Sequence, residues 1–360
     1  MQKLKEIISK IEKLDHSLAE ETQKRLDNLT KPQGSLGRLE ELAKRAVEIT
    51  GNVNPPIKNK VIFTMAGDHG IVEEGVSAFP QEVTPQMIYN FIEGGAGINI
   101  LARHVGARVV VVDMGVAKQL TVNNAHQLTD LKIKKIALGT KNMAKAAAMT
   151  REEAVKSIEN GIEVFEEELV NGIDIAGTGD MGIGNTTASS AIAACFTGKP
   201  VEDLTGRGTG ISEETFLNKI SVIKKALKLN RPNPKDAIDV LSKVGGFEIG
   251  GLAGVILSGA SHRIPVVIDG FISGASALIA YHLEPKIKDY LIAAHCSVEQ
   301  GHKIVLDYMG LKPLLDLDLR LGEGTGSALA ISLVEAGIKI MTEMATFQDA
   351  GVSEKVESRK

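Results

Sequence analysis

"GIDIAGTGDMGIGNTTASSAIAACF", residues 172–196, runs from a β-rich segment through a glycine loop into a helix without a break. The same sequence of events recurs along the chain. "KVIFTM" (60–65) leads into "AGDHG", and "RVVVVDMG" (108–115) ends on its own aspartate. "IPVVIDG" (264–270) leads into "FISGASALIAYHL", and "DYLIAAHCS" (289–297) leads into another helical pattern. Runs that are apolar on both faces and alternate with helices predict an α/β fold, a parallel sheet with helices on both faces. In such sheets ligands gather beyond the carboxyl ends of the strands. The polar residues expected there are Asp68, His69, Asp113, Asp180, Asp269, His295 and Ser297.

The loop of the opening stretch fits two phosphate-binding templates imperfectly. Gly177-x-Gly179-x-x-Gly182 has the dinucleotide spacing, but the acid due about 20 residues later, Glu202-Asp203, follows no convincing strand. Gly179-x-x-x-x-Gly184-Asn185-Thr186 has the spacing of a nucleotide-triphosphate loop with asparagine in place of its lysine. A glycine loop feeding a helix N-terminus survives both failures, and it suits one phosphate. A plain tight turn would need only two of the four glycines. "GRGTGI" (206–211) and "GEGTG" (322–326) are further loops of this kind, so the ligand is expected to be gripped largely by backbone, as a sugar phosphate would be. Lys219 follows the second loop and reads either as the missing positive charge or as a solvated lysine on a helix face.

Bulk properties narrow the choice. The charge balance is 41 − 45 = −4, which gives no basic face for nucleic acid. Cys195 and Cys296 are too few and too far apart for a disulfide framework. The N-terminus is charged throughout, and "IGGLAGVILSGAS" is too short and glycine-rich to span a bilayer, so a soluble cytoplasmic protein without membrane contact is expected. Helical spacing appears at both ends, in Leu4, Ile7, Ile8, Ile11 and Leu14, in Leu36, Leu39 and Leu42, and after residue 326. Thr84-Pro85, Thr150-x-x-Glu153 and Ser297-x-x-Gln300 read as helix starts, with Thr84 as an N-cap. Asp68-His69, His295-Cys296 and His302 lack zinc or calcium spacing. A kinase, a dehydrogenase and a non-catalytic sensor remain as alternatives. The absent lysine and second-strand acid weigh against the first two, and an acid kept at position 323 weighs against the third.

A resemblance enters with seven motifs taken in order: "KPQGSLGRLEELA", "MAGDHGIVEEGVSAFPQEVTPQM", "GDMGIGNTTAS", "GRGTGI", "GGFEIGGLAG", "DGFISGASAL" and "LRLGEGTGSALA". Together they resemble the nicotinate-nucleotide:dimethylbenzimidazole phosphoribosyltransferases, which make the lower ligand of cobalamin, and the likeness spans about residues 30–352. It implies a Rossmann-like domain over 59–326 and a small helical domain from residues 1–58 with 327–360. It implies a homodimer without cofactor or metal. The substrates implied are nicotinate mononucleotide and 5,6-dimethylbenzimidazole, and the products α-ribazole 5′-phosphate and nicotinate. Carried over by motif, the catalytic base falls on Glu323, with Asp180 beside it. Phosphate binding falls on Gly182, Ile183, Gly184, Asn185, Thr186 and Lys219. The benzimidazole pocket falls on Ala78, Gln86, Met181 and Leu321, and nicotinate and ribose contacts on Gly208, Ser297 and Gly322.

The resemblance gives the lone acid of "GEGTG" a purpose. A benzimidazole nitrogen attacks C1′ through its lone pair while the second nitrogen carries a proton, and a carboxylate in reach removes it. The bland reading of Glu323 is a loop acid capping the helix at 326. One departure stands out: Asp180 occupies a position where the family commonly has glutamate, so its carboxylate is drawn back by roughly one C–C bond, about 1.5 Å.

Overall fold

The computed structural model describes residues 1–121, 131–208 and 210–353. Six strands form one all-parallel sheet: β1 (Lys60–Gly67), β2 (Ala107–Gly115), β3 (Leu131–Ile133), β4 (Ile175–Met181), β5 (Val266–Ile268) and β6 (Leu291–Ala293). Their order is β3-β2-β1-β4-β5-β6. The chain builds outward from β1 to one edge, returns to the middle with β4, and builds to the other edge. Strand order therefore reverses between β1 and β4, where such sheets open a crevice. Register sets Met65 of β1 beside Asp180 of β4.

Thirteen helices of eight residues or more occur among the described residues: α1 (Gln2–Ser9), α2 (Ser17–Asp27), α3 (Arg38–Thr50), α4 (Val83–Ile92), α5 (Gly97–Val105), α6 (Arg151–Leu169), α7 (Asn185–Thr197), α8 (Glu213–Asn230), α9 (Ala237–Val244), α10 (Phe247–Ser261), α11 (Phe271–Leu283), α12 (Gln300–Met309) and α13 (Thr325–Glu343). None is long and apolar enough to cross a membrane. Side chains alternate across β1. Val61, Phe63 and Met65 join one core with α6, α10 and α11, and Phe63 stacks on Phe165 at 5.5 Å between ring centroids. Ile62 and Ala66 join the opposite core with Ile98 of α5 and Ile331 and Val334 of α13.

Both chain ends meet in a satellite cluster of Leu26, Leu29, Ala43, Val47 and Met341. The N-terminal Leu4 and Ile7, by contrast, join the main core. The division expected at 326/327 falls inside α13, a single continuous helix, and residues 354–360 lie outside the described residues.

Local signals had mixed outcomes. The Thr150 capping box forms, with Thr150 Oγ1 accepting the Glu153 N–H at 3.1 Å and Glu153 Oε2 accepting the Thr150 N–H at 2.7 Å. Thr84 is no N-cap; it lies inside α4, and its hydroxyl accepts the Ile183 N–H across the crevice at 3.2 Å. Ser297 does not cap α12, whose N-cap is Glu299; its hydroxyl instead donates to the Leu319 carbonyl at 3.1 Å. These hydroxyls found tertiary partners, which a local pattern cannot reveal.

Candidate active site

The crevice is lined from the end of β4 and its loop (Asp180–Thr186), from Arg207, Gly208 and Lys219, from Gly270–Ile272, from His295, Ser297 and Glu299, and from Arg320–Gly322, with Val76 and Ser77 on the far wall. Its cavity volume is about 120 Å³.

Glycines on β4 and its loop shape this crevice from within. A β-carbon on Gly179 would lie 2.2 Å from the Glu323 carbonyl oxygen, and one on Gly182 would lie 2.1 Å from the Gly67 carbonyl oxygen. Neither separation is tolerable. Two of the fingerprint glycines therefore admit neighbouring backbone rather than a dinucleotide. Gly184, at φ 95°, is the N-cap of α7. Asn185, which replaces the lysine of a triphosphate loop, directs its amide to Asp180 Oδ2 at 2.9 Å. The Ile183 N–H is committed to Thr84 and the Asn185 N–H to the Gly182 carbonyl. For an anion, the loop offers the start of α7 at Gly184 and Thr186.

Lys219 completes that corner. It is 1% exposed, and its Nζ donates to Thr186 Oγ1 at 2.9 Å and to the Gly206 carbonyl at 3.3 Å. The reading of Lys219 as a solvated surface lysine is overturned: α8 faces it inward. Burial lowers its pKa to about 8, and the charge of Glu299 opposes that shift. Arg320 borders the same corner and donates to the Gly208 carbonyl at 3.3 Å.

Glu323 is not among the lining residues; it follows Gly322, on three successive left-handed residues: Gly322 (φ 79°), Glu323 (φ 63°) and Gly324 (φ 101°). A non-glycine residue in this region is strained. The strain is held by the Glu323 N–H to the Asp180 carbonyl at 3.1 Å and by the Thr64 hydroxyl to the Glu323 carbonyl at 2.8 Å. The side chain, 4% exposed, does not cap the following helix. Oε2 accepts the Ile98 N–H at 3.0 Å, so the carboxylate caps α5 instead. Burial raises its pKa against the pull of Ile98, and Asp269 adds to the rise. Asp180 is buried too, and its pKa is raised well above the ordinary value by burial and then by Asp269 and Glu248.

Of the residues expected at the site, Asp180, Met181, Gly182, Ile183, Gly184, Asn185, Thr186, Gly208, Lys219, Ser297, Leu321 and Gly322 line one crevice. Glu323 lies directly behind Gly322. Ala78 and Gln86 are exposed and do not line it. Asp113 ends β2 away from the crevice, accepting the Val116 N–H at 2.9 Å with Lys135 3.2 Å from its other oxygen. Sequence reasoning missed Arg207, Arg320 and Glu299, which carry no local signal. It also missed Glu248, whose signal was visible: an acid inside the apolar, small-residue run "GGFEIGGLAG". Glu248 is fully buried and meets His69 Nε2 at 2.7 Å beneath the phosphate loop.

A central cleft that sets a buried lysine and a helix start beside buried carboxyls belongs to an α/β enzyme acting on a phosphorylated sugar. A family model described as phosphoribosyltransferase matches residues 11–352. Nicotinate-nucleotide–dimethylbenzimidazole phosphoribosyltransferase of Geobacter sulfurreducens is 59% identical over 354 residues, 98% of either chain. Its counterpart in Desulforudis audaxviator is 57% identical over 98% of this chain and 99% of its own. The crystal structure of CobT from Thermus thermophilus superposes with a TM-score of 0.89 at 43% identity, covering 94% of this chain and 99% of that one. The chain belongs to the nicotinate-nucleotide–dimethylbenzimidazole phosphoribosyltransferases, enzymes of cobalamin lower-ligand synthesis.

Proposed function

We propose that the crevice transfers the 5-phosphoribosyl group of nicotinate mononucleotide to 5,6-dimethylbenzimidazole, releasing α-ribazole 5′-phosphate and nicotinate. The phosphate is held by Lys219, the Thr186 hydroxyl and the start of α7. The flat base lies against Met181 and the exposed Leu321, and the ribose and nicotinate lie between them by Gly208, Ser297 and Gly322. Attack by the benzimidazole nitrogen forms the new C1′–N bond with inversion. The bond to nicotinate breaks, and its electron pair returns to the pyridine nitrogen, so this leaving group needs no proton. The benzimidazole N–H proton passes to Glu323. The Glu323 carboxylate favours the positive charge that develops at C1′.

Glu323 carries this reading: a buried carboxyl, one oxygen tied to α5, on a strained turn whose preceding residues wall the crevice. Incubation with both substrates and detection of α-ribazole phosphate by mass tests it. Substrate depletion without that product would overturn it. The family resemblance also supports a cytoplasmic homodimer, and light scattering of the purified protein tests the dimer.

A further inference from the structure

Asp269 directly follows β5 and is fully buried. Its Oδ2 accepts the Gly324 N–H at 3.1 Å, and its Oδ1 accepts those of Gly326 at 2.7 Å and Ser327 at 3.1 Å. One carboxylate thus satisfies three of the free donors at the start of α13. The first of them belongs to the residue directly after Glu323. Beneath it, Ser327 Oγ lies 2.9 Å from the carbonyls of both Thr178 and Val267 and shares its one proton between them, which fastens the same turn of helix to β4 and β5. Gly326 is required for this contact, because a β-carbon there would lie 2.7 Å from Asp269 Oδ1 and 2.1 Å from the His295 ring.

We propose that Asp269 is a positioning residue for the transfer reaction: its carboxylate clamps the left-handed turn that presents Glu323. Two observations converge on this role. The turn is strained and needs an anchor on its C-terminal side, and Asp269 is the side chain bonded to Gly324 there. An isolated buried carboxylate is also costly unless its hydrogen bonds are met, and these three N–H groups at a helix start meet them. The clamp has an electrostatic corollary. Asp269 lies beside two buried carboxyls, Asp180 and Glu323, and raises the proton affinity of both. It holds Glu323 nearer the pH at which a base is most effective. The groups facing this cluster are Asp180 from β4, Glu248 from α10, the Ile98 N–H from α5, and His295 after β6, whose Nε2 is 3.6 Å from Asp269.

The proposal rests on Glu323 as the base, and three variants separate the two claims. Asp269→Asn keeps an acceptor oxygen and removes the charge; Asp269→Glu keeps the charge and lengthens the arm. Both are expected to lower kcat by about 10²-fold, the effect of an ångström-scale misplacement, with KM for nicotinate mononucleotide little changed. Only Asp269→Asn should shift the acidic limb of the kcat profile to lower pH. That limb belongs to Glu323 if Glu323→Gln lacks it. A merely structural aspartate would cost thermal stability and substrate binding together in both variants and leave the limb in place. Wild-type kcat and limb in Asp269→Asn, beside an inactive Glu323→Gln, would overturn the clamp and keep the base. Full turnover in Glu323→Gln would overturn both. Failure of both Asp269 variants to fold would assign Asp269 to folding and likewise overturn the clamp.

Discussion

The backbone carbonyl of Glu323 lies against the α-carbon of Gly179, close enough that a β-carbon on Gly179 would come within 2.2 Å of the oxygen. The base and the central strand are thus in main-chain contact. Gly179→Ala should push the turn away from β4. Overpacking of this kind costs about 1–3 kcal/mol, and kcat should fall far more than this loss of stability explains. Thermal melting and steady-state kinetics on one preparation check it; an alanine variant with wild-type kcat would show that the contact is dispensable.

Glu323→Gln should bind nicotinate mononucleotide like the wild type and turn over roughly 10²–10⁴-fold more slowly. The wild-type rate should carry a matching pH signature. Burial raises the Glu323 pKa, so the carboxylate is lost to protonation at a higher pH than an ordinary glutamate would be. Activity should therefore decline on acidification from above the usual glutamate range. A kcat profile flat down into the ordinary glutamate range, or a fully active glutamine variant, would remove Glu323 from the chemistry.

Lys219 sets function against stability. Its pKa is lowered from 10.5 to about 8, so the folded state disfavours its charged form. The cost is complete below the folded pKa and fades as pH rises toward the unfolded value. A shift of that size corresponds to roughly 3 kcal/mol. Lys219→Met, similar in length and uncharged, should melt at a higher temperature than the ligand-free wild type at neutral pH. It should also lose most of its affinity for nicotinate mononucleotide, while nicotinic acid riboside, which has no phosphate, binds both proteins equally weakly. In the wild type, KM for the mononucleotide should rise above pH 8. A variant that melts lower and binds normally would contradict both halves.

Leu321, 60% exposed at the crevice mouth, is suited to cover a flat apolar ring. Leu321→Ala should raise KM for dimethylbenzimidazole and leave that for the mononucleotide alone. Between dimethylbenzimidazole and its analogue lacking one methyl, preference should stay within about 10–200-fold, the worth of one methyl in an apolar pocket. Competition between the two bases, with product ratios read by mass, measures it. A larger ratio would mean a closed pocket around the ring edge rather than an open wall.

Strand apolarity on both faces made the parallel sheet legible, and glycine loops at strand ends marked the crevice. The short β3 (Leu131–Ile133) carried too little pattern to be seen. What the glycines do was misread. Gly177-x-Gly179 has the spacing of a nucleotide fingerprint, yet Gly179 makes room for the distant turn at Glu323. Lys219 looked like any helix lysine, because inward facing depends on how α8 is set against α7. Ala78 and Gln86 were carried over by motif; Val76 and Ser77 of the same segment wall the crevice, while Ala78 and Gln86 are not among its lining residues. Asp269 was legible as a polar residue at a strand end, but its three bonds to α13 were not.

The hydroxyl of Thr64 meets the carbonyl of Glu323 across 259 residues of chain. Nearly the whole protein must leave the ribosome before the two can touch. The strands and the phosphate corner are all translated before residue 323, but one face of β1 stays uncovered until Ile331 and Val334 of α13 pack on it. Docking of α13 then joins turn, strands and helix start in one late event of high contact order, the slow kind of step in folding. Substrate binding and turnover should therefore appear together, and late, in a synchronised synthesis reaction.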